Sequence, residues 1–186
     1  ALQFAGLDFE VCKRPNIHKL DDGTEIISKN SFYTYRPDCC AILGDRLGKD
    51  YEVVQNIDAF SFFDAIVGGD GIQYETAGAL GKGEKIFITA KLPGYIKVGN
   101  DDMIEKYLFL TTSHDGYGSI MAAFTPVRIV CNNTLNAALR NHTNAIKIRH
   151  TANAKERLEE AHKVMGISNQ LSQQLDGIFN QWAKVR

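Results

Sequence analysis

Two groups of residues in this 186-residue chain have types and spacings that could do chemistry. The first is His114-Asp115, with Arg128, Cys131 and Asn133 downstream. A histidine beside a carboxylate has the makings of a general base with its orienting partner, or of a metal pair. Cys131 with His114 and Asn133 can be cast as a nucleophilic Cys-His-Asn set, with Arg128 as a cation to stabilise a thiolate. A plainer reading competes at each position. Adjacent strand residues point to opposite faces, and Asp115-Gly116 is ordinary turn chemistry. Cys131 comes after the apolar run Val127, Ile129 and Val130, where a free cysteine is usually a small buried thiol. The turn and buried-thiol readings are preferred. His114, Asp115 and Cys131 stay as the catalytic candidates of an alternative in which the chain is an enzyme with a pocket around His114, Arg128 and Cys131.

The second group is cationic. The formal net charge is only −1, from 21 Lys+Arg and 22 Asp+Glu. Residues 1–115 carry 12 Lys+Arg against 18 Asp+Glu, a net of −6, whereas residues 116–186 carry 9 against 4, a net of +5. No acid lies between Asp115 and Glu156, a gap that holds Arg128, Arg140, Lys147, Arg149 and Lys155 together with His142 and His150. An anion-binding face needs such a stretch, because a nearby carboxylate cancels the attraction. Asn132, Asn133, Asn136, Asn141 and Asn144 add donors for phosphates or bases. The competing expectation is that folding scatters these cations or sets acids of the first half against them.

Lys82 and Lys85 extend this second group. Gly78-Ala79-Leu80-Gly81-Lys82-Gly83 resembles a phosphate loop only superficially, since such a loop runs through Lys-Ser/Thr into a helix and here a strand comes next. It reads as a basic hairpin tip. Phe32, Tyr33, Tyr35 and Arg36 interleave aromatics with a cation, so Tyr33 and Tyr35 are candidates for stacking on bases, or else a strand with one aromatic face. The four cysteines, Cys12, Cys39, Cys40 and Cys131, contain no CxxC spacing, which excludes a zinc finger or ribbon and favours reduced thiols. No metal or cofactor is expected.

These residues need elements to position them. With 44% hydrophobic and 23% charged residues, the composition is that of one ordinary globular domain. No run approaches ~18 apolar residues, so no membrane-spanning helix is expected. Ala1-Leu2-Gln3-Phe4 lacks the features of a signal peptide, and the opening on Ala1 suggests a processed or trimmed chain. Residues 1–30 read as irregular with a hairpin around Asp21-Asp22-Gly23. An aromatic strand comes next, broken at Arg36-Pro37-Asp38, then a short strand over Tyr51–Val54. Asn56 is the expected cap of a helix that Gly68-Gly69 ends. Alternation from Ile72 and from Lys85 to Ala90 about Gly81-Lys82-Gly83 is a hairpin, closed at Pro93-Gly94. Strands are expected over Tyr107–Thr112, Ser119–Val130 (crossed by Pro126) and Ala145–His150, with a short helix capped by Thr134. Ala154, Leu158, Ala161 and Met165, then Leu171, Leu175, Ile178 and Trp182, mark two C-terminal helices. The expected class is α+β, with a largely antiparallel sheet built from hairpins, one early helix and helices at the C-terminus. An α+β core over 1–152 would carry a helical hairpin over 153–186, packed on it or on a partner.

Several segments then resemble a known family: Ala5-Gly6-Leu7-Asp8, Tyr35-Arg36-Pro37-Asp38, Val54-Gln55-Asn56, Tyr74 to Leu80, Ser113-His114-Asp115-Gly116, Thr125 to Leu135 and Arg149-His150-Thr151. In this order they are similar to the phage/plasmid-like protein family, domain of unknown function 932. The resemblance implies a mobile-element protein in the cytoplasm of a bacterial host, with no established reaction and no assigned catalytic residues. The element order is also loosely similar to the core of phage single-strand annealing proteins, an analogy of fold alone. Together with the acid-free stretch, this leads to the expectation of a protein that binds nucleic acid, foremost single-stranded DNA, in replication or recombination. Arg128, Arg140, Lys147, Arg149 and Lys155 would contact phosphates, with Lys82 and Lys85 secondary; a homo-oligomer is expected and a membrane partner is not. A third possibility is a module that binds a host factor through an acidic, nucleic-acid-mimicking face.

Overall fold

The structure, a computed structural model, describes residues 2–3, 5–67, 73–98 and 102–158. Its elements run β1 (Cys12–Lys19), β2 (Glu25–Arg36), β3 (Ala41–Leu47), α1 (Asn56–Val67), β4 (Gln73–Leu80), β5 (Lys85–Val98), β6 (Asp102–Ser113), β7 (Ile120–Thr125), α2 (Asn132–Arg140) and β8 (Thr143–Ile148). Every strand pairing is antiparallel. The class is α+β, as expected, but the strands form two sheets, β1-β2-β3 and β4-β5-β6-β7-β8.

The larger sheet is sorted by the period-2 alternation of its strands. One row across it joins Ile88, Leu110, Ala122 and Ile146. That face packs against Phe60, Phe63 and Val67 of α1, Leu7, Phe9 and Val11 of the N-terminal segment, and Ala154 and Leu158 of a helical turn over 154–158. The next row joins Gly78, Phe87, Thr111, Met121 and Lys147 on the opposite face. There Phe87, Phe109, Met121 and Ala123 are covered by Leu135 and Ala138 of α2 and by Ile129. The sheet is thus a middle layer, with α1 and the 154–158 turn on one side and α2 on the other.

Several local expectations are corrected. Tyr51–Val54 is not a strand. Its backbone is satisfied singly: Glu52 N–H donates to the His150 carbonyl (3.0 Å) and Lys13 Nζ donates to the Tyr51 carbonyl (2.5 Å). Asn56 lies inside the first turn of α1, where Ala59 N–H donates to the Gln55 carbonyl (3.1 Å), so Asn56 is not the cap. Pro93-Gly94 does not end β5 but sits in a register shift between Lys91 and Tyr95, with Gly94 at φ +83°. Strand β7 stops at Thr125, before Pro126. The expected stop at Gly68-Gly69, the start of the hairpin at Ile72 and the two C-terminal helices beyond residue 158 lie outside the described residues. Among the described residues no helix is long and apolar enough to cross a membrane.

Candidate nucleic-acid interface

His114 directly follows β6 on the α1 side, wholly buried. Asn56 Nδ2 donates to the Leu7 carbonyl (3.0 Å), which leaves Asn56 Oδ1 to accept from His114 Nε2–H at 2.8 Å. The His114 backbone also bridges the sheets, with N–H donating to the Glu84 carbonyl (2.7 Å) and its carbonyl accepting from Thr34 Oγ1 of β2. Burial, with the nearby His150 as a lesser cause, pushes the imidazole down to about 3. His150 is also buried, and burial lowers its pKa. Its Nδ1–H donates to the Glu52 carbonyl (3.2 Å), Nε2 accepts from Thr112 Oγ1 (3.1 Å), and its ring stacks on Tyr51 (4.9 Å between centroids). Both imidazoles are neutral fastenings between layers.

Other residues of the sequence motifs fasten the smaller sheet. Gln55 makes two bonds with the Val11 backbone (3.0 and 2.8 Å). Arg36 lies 3.9 Å over the Phe9 ring, pairs with Asp38 (2.6 Å) and donates to the Lys82 carbonyl (2.9 Å).

Cys131 sits on the other side of the larger sheet, exposed, at the N-cap of α2. The backbone N–H of Thr134, the Thr134 hydroxyl and the backbone N–H of Asn133 hold its thiol below the ordinary cysteine value. The expected buried thiol is therefore an exposed one, and Thr134 acts from the third helical position, its Oγ1 accepting from Cys131 N–H (3.0 Å) and Val130 N–H (2.9 Å). Arg128 pairs with Glu75 (2.7 Å). His114, Arg128 and Cys131 are not brought to one pocket, because His114 belongs to the α1 layer and Cys131 to the α2 layer. Asp115 turns away from His114, its Oδ1 accepting from Tyr117 N–H (2.8 Å). Among the described residues no group of three or more His, Cys, Asp or Glu could hold a metal ion.

The expected phosphate contacts divide. Arg128 and Lys155 are set against acids of the first half, Glu75 and Asp58 (3.4 Å). Arg140 ends α2 and Arg149 comes directly after β8, both exposed. Lys82 is exposed at the β4–β5 tip. Tyr33 and Tyr35 lie 5.7 Å apart on the face of β2 opposite Thr34, which points to His114, so they look away from the larger sheet.

Lys85 of β5 and Lys147 of β8, 62 positions apart, line the same cavity. Lys85 is registered with Ser113, and Lys147 with Met121, on the α2 face of the sheet. Together with Thr111, Leu135, Leu139 and the turn Tyr117-Gly118-Ser119 they line a cavity of about 250 Å³ without a single acid. Tyr117, 72% exposed, stands at its edge. Ser113 is 4% exposed and its Oγ has no hydrogen-bond partner among the described residues, a state that costs ~1–3 kcal/mol until a partner enters. Nothing in the sequence alone marks Ser113, Tyr117 and Gly118 as binding residues, although they lie beside His114 at the head of the acid-free stretch.

A protein family described as Domain of unknown function (DUF932) matches residues 45–186. The match takes in the whole larger sheet and both helices, and leaves β1, β2 and the segments at 5–8 and 35–38 ahead of it. No curated protein and no solved structure matches the chain.

Proposed function

The chain belongs to the DUF932 family, and we propose that it binds nucleic acid, foremost single-stranded DNA, through the cavity between α2 and the larger sheet. The observation that carries this reading is that Lys85 and Lys147 line one cavity, whose lining holds no acid and includes an exposed tyrosine. Two ammonium groups in a lining that itself holds no carboxylate attract phosphate, and an exposed aromatic ring stacks on a base for ~1–3 kcal/mol. Arg140 at the end of α2 and Arg149 directly after β8 are exposed and offer further phosphate contacts. Arg128 and Lys155 contribute less, because Glu75 and Asp58 already neutralise them. A cytoplasmic role in replication or recombination of a phage or plasmid accords with the family resemblance, and a homo-oligomer of this chain is part of the same proposal.

Fluorescence anisotropy with a labelled single-stranded oligonucleotide tests the reading. Binding is expected at low salt, reduced at least ten-fold in K85A/K147A and far less in R128A/K155A. Absence of binding by the wild-type protein, or an equal loss in the two double variants, overturns it.

A further inference from the structure

Resting on that reading, we propose that the cavity takes a terminal phosphate, the phosphomonoester end of a strand, in preference to the phosphodiesters along it. Three consecutive hydroxyls end β6, and two are engaged: Thr111 Oγ1 donates to the Ile86 carbonyl (2.9 Å) and Thr112 Oγ1 bonds His150 (3.1 Å). The third, Ser113 Oγ, is buried without a partner among the described residues, as is His114 Nδ1 on the other face of the sheet, and Ser113 lines the cavity. A group that reaches this buried hydroxyl must project from its carrier. A monoester phosphate, tied by one ester bond, presents three free oxygens; a diester presents two and is flanked by chain on both sides.

Charge and size point the same way. A monoester carries about −1.5 to −2 charges at neutral pH, suited to the two lysines that approach from β5 and β8. At about 250 Å³ the cavity falls below the ~300 Å³ at which pockets for whole drug-sized ligands begin, so it holds a phosphate with part of its sugar while the base stacks outside on Tyr117. Gly118 leaves room for this hydroxyl: a Cβ there would stand 2.7 Å from Ser113 Oγ.

The test compares oligothymidylates with a 5′-phosphate, a 3′-phosphate and hydroxyl ends, titrated against the full chain, with thymidine monophosphate and thymidine as free competitors. One phosphorylated end is expected to bind at least ten-fold more tightly than hydroxyl ends, with the monophosphate, and not thymidine, competing. The preference is expected to collapse in S113A and, independently, in G118A, whose folding is checked by circular dichroism. Equal binding of all three oligonucleotides to the wild type refutes the terminal-phosphate preference while leaving the nucleic-acid reading intact. Binding of the free monophosphate without any oligonucleotide does the reverse, keeping the phosphomonoester site and refuting a nucleic-acid partner. A preference that survives both folded variants refutes the assignment to this cavity.

Discussion

Replacing His114 by Gln tests the buried fastening between the layers. Glutamine can still donate to Asn56 Oδ1 but cannot titrate. In the folded protein His114 is pushed down to about 3, against an ordinary histidine value near 6.5. Between those values the unfolded chain binds a proton that the folded chain refuses, so stability is complete above pH 6.5 and falls as the solution is acidified. At ~1.4 kcal/mol per pH unit, the loss reaches roughly 3 kcal/mol by pH 4, a sizeable part of the ~5–15 kcal/mol that holds a domain together. His150, also lowered by burial, adds to the loss in the same direction. Urea unfolding followed by circular dichroism at pH 7, 6, 5 and 4 measures it. H114Q is expected to start less stable at pH 7 and to lose roughly 3 kcal/mol less than the wild type by pH 4. Carboxylates and His150 titrate in both proteins, so the difference isolates His114. Parallel curves for the two proteins would refute a neutral, buried His114.

The same packing sets three further outcomes. Asn56→Ala orphans the Leu7 carbonyl and His114 Nε2–H together, and is expected to cost roughly 2–5 kcal/mol in stability, read from the urea midpoint. Gly44→Ala would drive a Cβ to 2.8 Å from the Asp115 backbone, and a thermal melt should show a loss of ~1–3 kcal/mol from overpacking between the two sheets. Cys131, exposed and with a lowered pKa, should react with iodoacetamide at pH 7.5 faster than the exposed Cys39 and Cys40, as read by peptide mass spectrometry.

How much of the fold was legible in the residues depends on the range of the forces involved. The β4–β5 hairpin could be read because its turn glycines and its period-2 pattern are local, and Leu80 does face Lys85. Helix α1 was legible from its apolar spacing, but not the fate of Asn56, whose partners Leu7 and His114 lie 49 and 58 positions away. For the same reason Thr34 and His114, 80 positions apart, gave no hint that the strands divide into two sheets. Nothing local marks Cys131 as a helix cap rather than the end of a buried strand; β7 ends early, before Pro126, and Cys131 is left exposed at the start of α2. The acid-free stretch holds Lys147 and the hairpin tip Lys85, but only the strand register sets the two on one face. Charge counted along the chain also missed that Glu75 and Asp58 fold back on Arg128 and Lys155.

The most direct measurement is the salt dependence of oligonucleotide binding for the wild type and for K85A/K147A. Each lysine–phosphate contact on a single strand contributes a slope of about −0.7 in log K against log salt, so removing two should flatten the slope by about 1.4. That flattening, with the R128A/K155A slope close to wild type, is the predicted result. An unchanged slope in K85A/K147A would place the phosphate contacts elsewhere and contradict the assignment of the cavity.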